Sequence, residues 1–352
     1  MLEHLVGTIR YRRCAEVVMK RFAPLLLGMS LVLPCPAGFA RGELLVGNKS
    51  DDTVWRLSLE DGRRLDEIPS GQGPHEIAVS PDRRLAVVTD YGHQQAGNSL
   101  TVLDMGDGKA PRSIDLGAHA RPHGIRLLAD GHALVTTEQS RSLLRVDLDA
   151  GAVVQAIEVG DGVGHMVALA ADGATAYVSK IAAGTVARID LATGRKTHEV
   201  PAGEGAEGIE VAPDGRVWVT NRAEDTVTVH DPDTLETMAT LPSEGFPIRV
   251  VFTPDGRHAL VTNAMAGSMS VFDATDPRLV ATVALRPEGA ESGQSMLGQG
   301  PMPIGVIADP VRPRIYVAIS GADRIAVIDA DDWRVLEFWA TGRQPDALGI
   351  LP

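Results

Sequence analysis

Residues 214–221 read Asp-Gly-Arg-Val-Trp-Val-Thr-Asn, and Asp225-Thr226-Val227-Thr228-Val229 follow. An Asp-Gly pair is a tight-turn signal. The residues after it alternate apolar and polar at period two, which predicts short strands rather than a helix. Outward from this stretch the same order recurs. A Pro or small residue, a polar residue, an apolar strand, an Asp-Gly type turn and a second strand are read at 74–90, 122–138, 164–180, 206–221, 247–263 and 303–320. A third strand follows each copy and ends in Asp104, Asp147, Asp190, Asp231, Asp273 or Asp329, and a weaker fourth strand comes next. The anchoring residues Ile77, Ile125, Val167, Ile209, Val250, Val306 and Leu348 are spaced by 48, 42, 42, 41, 56 and 42. Four strands per unit of this length predict propeller blades.

The two ends complete the count. Residues 44–71 supply three strands but no first strand, and residues 345–351 supply a first strand alone. Joined, they make one composite blade, which with the six complete units closes a ring and leaves no open sheet edge. The expected fold is all-β: a seven-bladed β-propeller with four antiparallel strands per blade, formed by residues 41–352 as a single domain.

Composition agrees. Among 352 residues, 44% are hydrophobic and only 4% aromatic, with 37 Gly and 22 Pro, a mix that favours short strands and tight turns over long helices. A net charge of -13 argues against nucleic acid as a partner, since phosphate contacts need a basic face. Two cysteines, Cys14 and Cys35, exclude a disulfide scaffold. The first forty residues read differently. Lys20 and Arg21 precede an apolar run over 22–33 and then Pro36-Ala37-Gly38-Phe39-Ala40, the order of a secretory signal peptide. The run is too short for a membrane span, which takes about 20 residues. The reading places the true start at Met19, makes 1–18 a mis-called extension, and expects cleavage near Ala40 and a periplasmic or secreted product. Residues 1–40 hold five Lys/Arg and two Asp/Glu. Their removal leaves 28 basic and 44 acidic residues, a charge of -16, and no cysteine, which suits an oxidising compartment. No membrane span is expected in the mature chain, and a closed ring is expected to be a monomer.

The quoted Val-Trp-Val-Thr-Asn stretch, and Tyr177-Val178-Ser179 in another copy, resemble the repeat named for its Tyr-Val-Thr-Asn strand. Over the whole mature length the chain looks like an exported seven-bladed propeller of the YncE-like YVTN group. That resemblance implies the fold. It leaves function open, because the wider superfamily includes binding and scaffold proteins, sugar-lactone hydrolases, an antibiotic lyase and domains of redox enzymes.

Repeats should carry the same residue types, so departures at one repeat position are informative. Directly after the start of each first strand the ring reads His75, His123, His165, Glu207, Ile248, Ile304 and Asp346. In a propeller these positions meet at one mouth of the central channel. The next position adds Glu76 and Arg249. The expected ligand-binding set is therefore His75, Glu76, His123, His165, Glu207, Arg249 and Asp346. His75, His123, His165 and Glu207 suit one divalent metal ion, with water completing the shell. Without metal, a His between carboxylates is an acid or base, and His123, His165 and Glu207 are the catalytic candidates. A plain solvated mouth fits too. Three functions stay open: binding of a small ligand, metal or protein partner; a metal-assisted hydrolase or lyase acting on a lactone or similar ester; and an interaction scaffold that uses the blade rims.

Loops after the second strands are expected on the same face, bringing Asn48, Tyr91, His93, Glu138, Lys180, Asn221, Arg222 and Asn263. Two loops read as long: 91–99, and the Gly-rich 286–302 with Met296 and Met302, which is placed to cover the mouth. The third-strand Asp residues read as turn formers, and the four Trp as packing between blades. There is no Gly-x-Ser-x-Gly elbow, phosphate-binding loop, EF-hand or Cys-x-x-Cys-His site.

Overall fold

The computed structural model describes residues 42–106, 109–287, 289, 294–295 and 298–352. The signal peptide, the start at Met19 and cleavage near Ala40 lie outside the described residues. Seven four-stranded antiparallel sheets form the ring, as the repeat predicts. Blade 1 consists of Pro74–Val79, Leu85–Gly92, Ala96–Asp104 and Arg112–Asp115. The inner strands of blades 2 to 6 are Pro122–Leu127, Gly164–Leu169, Ala206–Val211, Pro247–Phe252 and Pro303–Ala308. Blade 7 is composite: Pro345–Leu351 pairs with Glu43–Asn48, followed by Thr53–Ser58 and Arg64–Pro69. Each inner strand lies beside the inner strand of the next blade, and Pro345–Leu351 neighbours both Pro303–Ala308 and Pro74–Val79, so the ring closes. Among the described residues no helix is long and apolar enough to cross a membrane.

The core sits between blades. Seven apolar clusters each join two neighbouring sheets; Leu134 and Ile157 of blade 2, for example, pack on Val167, Val178 and Ile189 of blade 3. Alternating side chains bury both faces of the middle strands, which explains the dense Val, Leu, Ile and Ala there. The third-strand Asp residues form Asx turns: Asp147 accepts from the Asp149 and Ala150 amides, and Asp231 from those of Asp233 and Thr234. Trp218 and Trp339 are buried in inter-blade clusters.

Two expectations about loops change. Residues 91–99 are not a long loop. The strands extend to Gly92 and start again at Ala96, and Gly92 pairs with Ala96, which leaves a three-residue turn. In the 286–302 segment, Gln294–Ser295 pairs with Gly298–Gln299, and Met302 packs with Ile248, Ala264 and Ile304. Met296 lies outside the described residues.

Candidate functional site

A repeated irregularity positions the mouth residues. In every blade the pairing of first and second strands slips just after the first residue of the inner strand, as between Pro74 and Ile77, Pro122 and Ile125, or Pro247 and Arg249. A bulge at a rim re-aims side chains. Here it turns the second residue of each inner strand, such as His75, toward the channel mouth, with Glu76 and Arg249 meeting below it. A hydroxyl at the third position of the Tyr-Val-Thr-Asn strand clips the bulge. Thr136 Oγ1 accepts the Gly124 amide at 2.8 Å and donates to the carbonyl of His165 in the next blade at 2.5 Å. Ser179 likewise accepts from Met166 and donates to the Glu207 carbonyl, and Thr262 donates to Ile304 at 2.8 Å. Glycine at the bulge keeps neighbouring inner strands close; a Cβ on Gly305 would lie 2.0 Å from the Asp346 carbonyl oxygen.

These devices bring His75, His123, His165, Glu207, Ile248, Ile304, Arg249 and Asp346 around one cavity of about 320 Å³. The three imidazoles lie in a row, tilted 47° and 40° against one another. Ring centroids are 3.9 Å apart for His75 and His123, and 3.6 Å for His123 and His165. Tyr91 closes the row edge-on, 4.9 Å from His75 and 5.6 Å from His123, under the Arg121 guanidinium.

The partners divide the three histidines by role. At His75, Nε2 lies 2.8 Å from Lys49 Nζ, and Nδ1 faces Asp346 Oδ2 at 3.5 Å. An ammonium only donates, so His75 accepts at Nε2 and is a neutral imidazole. Burial and the Lys49 charge push its pKa down to about 3. His165 differs. Its Nδ1 sits 2.5 Å from Glu138 Oε1, and its Nε2 is 3.4 Å from Glu207 Oε1. Burial opposes charge there, but the two carboxylates outweigh it and raise the pKa. His123 lies between them and is 1% exposed. Its Nδ1 is buried without a hydrogen-bond partner. Burial, then the flanking imidazoles, hold its pKa well below the usual value. A buried polar atom without a partner is costly, about 1–3 kcal/mol. His75 Nδ1 and His165 Nε2 also lack a hydrogen bond, but those rings have Lys49 and Glu138 at their other nitrogen, so His123 is the side chain that a ligand would satisfy most.

The carboxylates are held in turn. Glu138 also accepts from Tyr91 Oη at 2.6 Å; burial is offset by His165, and its pKa falls to about 2. Glu207 accepts from Arg222 at 2.5 Å and faces Arg249 at 3.5 Å. Below the mouth, Arg249 donates twice to Glu76 Oε1, at 2.6 and 3.1 Å, and burial nonetheless pushes the Glu76 pKa up. The Arg249–Glu76 pair floors the cavity. A second chamber lies beneath it, about 250 Å³, crossed by an Arg126–Glu210 pair at 2.6 Å.

Two groups of His and carboxylate atoms lie within 4.8 Å of one another: His75, Glu76 and His123; and His123, Glu138 and His165. His123 belongs to both. Glu207, expected as a metal ligand, is in neither group and is instead paired with two arginines. Glu138 takes the place nearest the imidazoles. Of the loop residues expected on this face, Tyr91, Glu138 and Arg222 line the cavity, and so does Lys49, which sequence reading missed beside Asn48. His93 turns away to Asp52 at 2.8 Å. Lys180 is buried against Glu199 at 2.7 Å, and Asn221 and Asn263 bond hydroxyls of their own blades.

No family model and no curated protein matches the chain. Among solved structures, the Kuenenia stuttgartiensis hydrazine synthase is similar with a TM-score of 0.67 and 19% identity, over 78% of this chain and 88% of that one. A functionally unknown protein from Desulfotomaculum acetoxidans DSM 771 gives a TM-score of 0.71 at 14% identity, over 88% of this chain and 98% of that one. At these identities the likeness shows the fold alone: the chain is a seven-bladed β-propeller.

Proposed function

We propose that this chain is an exported propeller of the YncE-like YVTN type whose channel mouth holds one divalent transition-metal ion, open on one side to a small ligand. Export rests on the residue order over 20–40. The observation that carries the metal reading is His123: a buried, neutral imidazole without a partner at Nδ1, shared by two sets of donors that each lie within 4.8 Å. Imidazole and carboxylate donors without thiolate suit Zn and its neighbours in the first transition row. His123, His165 and Glu138 supply the donor atoms. His165 Nδ1 donates to Glu138 Oε1 at 2.5 Å in a charge-assisted hydrogen bond. An ion binding both atoms displaces that proton and moves them slightly apart. Tyr91, which bonds the second oxygen of Glu138, orients the carboxylate.

The test is the metal content of protein purified without a His tag, then reloaded with Zn(II) or Cu(II). About one equivalent is expected, and a His123→Ala/His165→Ala variant of unchanged fold should lose it. Wild-type protein that takes up no ion contradicts the proposal. In that case the His arc is a solvated mouth, and the scaffold reading stands.

A further inference from the structure

The cavity is two-sided. Against the imidazole arc stand Ile248 and Ile304, at the same repeat position as the histidines; Ile181 and Val163, on the blade of His165, add apolar surface to the lining. The backbone adds an independent sign. The residue before each inner strand adopts a positive φ, and two blades place glycine there: Gly73 at 62° and Gly205 at 72°. The other five blades carry a side chain there: Arg121 at 60°, Val163 at 61°, Phe246 at 70°, Met302 at 50° and Gln344 at 53°. A β-branched residue at positive φ is a true outlier, and such strain concentrates at ligand clamps. Val163 lines the cavity, while Met302 and Phe246 pack behind Ile248 and Ile304.

Charge sets the other half of the ligand. Lys49, Arg222 and Arg249 oppose Glu138, Glu207, Asp346 and, beneath them, Glu76. These side chains sum to minus one, and the proton of His165 between Glu138 and Glu207 makes the ion-free mouth neutral. A divalent ion that displaces this proton leaves the mouth one unit positive, which a monoanion neutralises. A volume of about 320 Å³ is at the small end of ligand pockets, which span about 300–1,000 Å³. We infer that the metal-loaded mouth takes a small branched-aliphatic carboxylate, with its carboxylate on the ion and its hydrocarbon body against Ile248, Ile304, Ile181 and Val163. This inference rests on the metal reading above.

The experiment titrates acetate, propionate, butyrate, isovalerate and isovaleramide into protein whose zinc content has first been measured. Calorimetry should show affinity rising roughly fourfold for each carbon buried, and isovaleramide binding at least about tenfold more weakly than isovalerate. In an Ile181→Ser variant the dependence on chain length should flatten. A protein that holds one zinc but shows a flat series, or binds amide and acid equally, overturns this inference and leaves the metal site standing. A protein that holds no zinc overturns both. Because the wild-type series decides the matter, poor folding of the variant does not remove the test.

Discussion

Asp90 lies in the second strand of blade 1, at the repeat position where three other blades carry Asn48, Asn221 and Asn263. Replacing it with asparagine tests how the repeat spends its buried polar groups. Asn221 donates from Nδ2 to Thr226 and Thr228, and Asn263 donates to Ser268 and Ser270. Asp90 occupies the same niche with the donors reversed, accepting from Ser99 at 2.7 Å and Thr101 at 3.0 Å. Those bonds do not offset its burial, which raises its pKa from 3.8 to about 6. A carboxyl whose folded pKa lies above its unfolded value favours folding only while protonated. Its contribution is complete below about pH 4 and is lost as the pH rises through about 6. A shift of about two units corresponds to roughly 3 kcal/mol. Asp90→Asn should therefore stabilise the protein by up to roughly 3 kcal/mol at pH 8, and by almost nothing at pH 4. At about 2 °C per kcal/mol for a domain of this size, the midpoint should rise by roughly 6 °C at pH 8. Thermal melts of both proteins from pH 4 to pH 8 measure this. An offset that does not vary with pH, or a variant less stable at pH 8, refutes the reasoning.

Two further predictions concern the devices that shape the mouth. Arg249→Met leaves Glu76 and Glu207 buried without their shared cation, and should cost about 3–5 kcal/mol in urea melts; adding Glu76→Gln should recover part of that, and an Arg249→Met protein as stable as wild type would rule out the ion-paired floor. Thr136→Val removes the acceptor of the Gly124 amide and the donor to the His165 carbonyl, so it should lose about 1–3 kcal/mol and weaken metal uptake, while Thr136→Ser keeps both; equal losses in the two variants would show that the hydroxyl clip has no such role.

The fold was legible because a propeller repeats itself. Turn residues, alternating strands and the split blade at the termini are all local signals, and they sum over seven copies. The mouth was legible for the same reason: one repeat position named His75, His123, His165, Glu207 and Asp346 together. What the sequence did not carry is set across blades. Glu207 looked like a ligand, but Arg222 from its own blade and Arg249 from the next both hold it. Glu138 was read as a rim residue, yet it bonds His165, 27 positions on. Lys49 gave no signal beside Asn48, although its ammonium fixes which nitrogen of His75 accepts. The 91–99 segment read as a loop because Gly92 and Gly97 break the strand pattern, while Gly92 pairs across the hairpin with Ala96. These contacts depend on rotamers and on the bulge in each inner strand, which period-two patterning does not encode.

The central claim is that the mouth is a metal site built on His123. Zinc titration by calorimetry at pH 7, in two buffers of different ionisation enthalpy, counts both ions bound and protons released. The account predicts one ion per chain and about one proton released, the proton between His165 and Glu138, with His123→Ala weakening binding by at least about 100-fold, beyond the 10–100-fold typical of losing an outer-shell partner. Sub-stoichiometric uptake in the wild type, or a His123→Ala protein that binds as tightly, would contradict it.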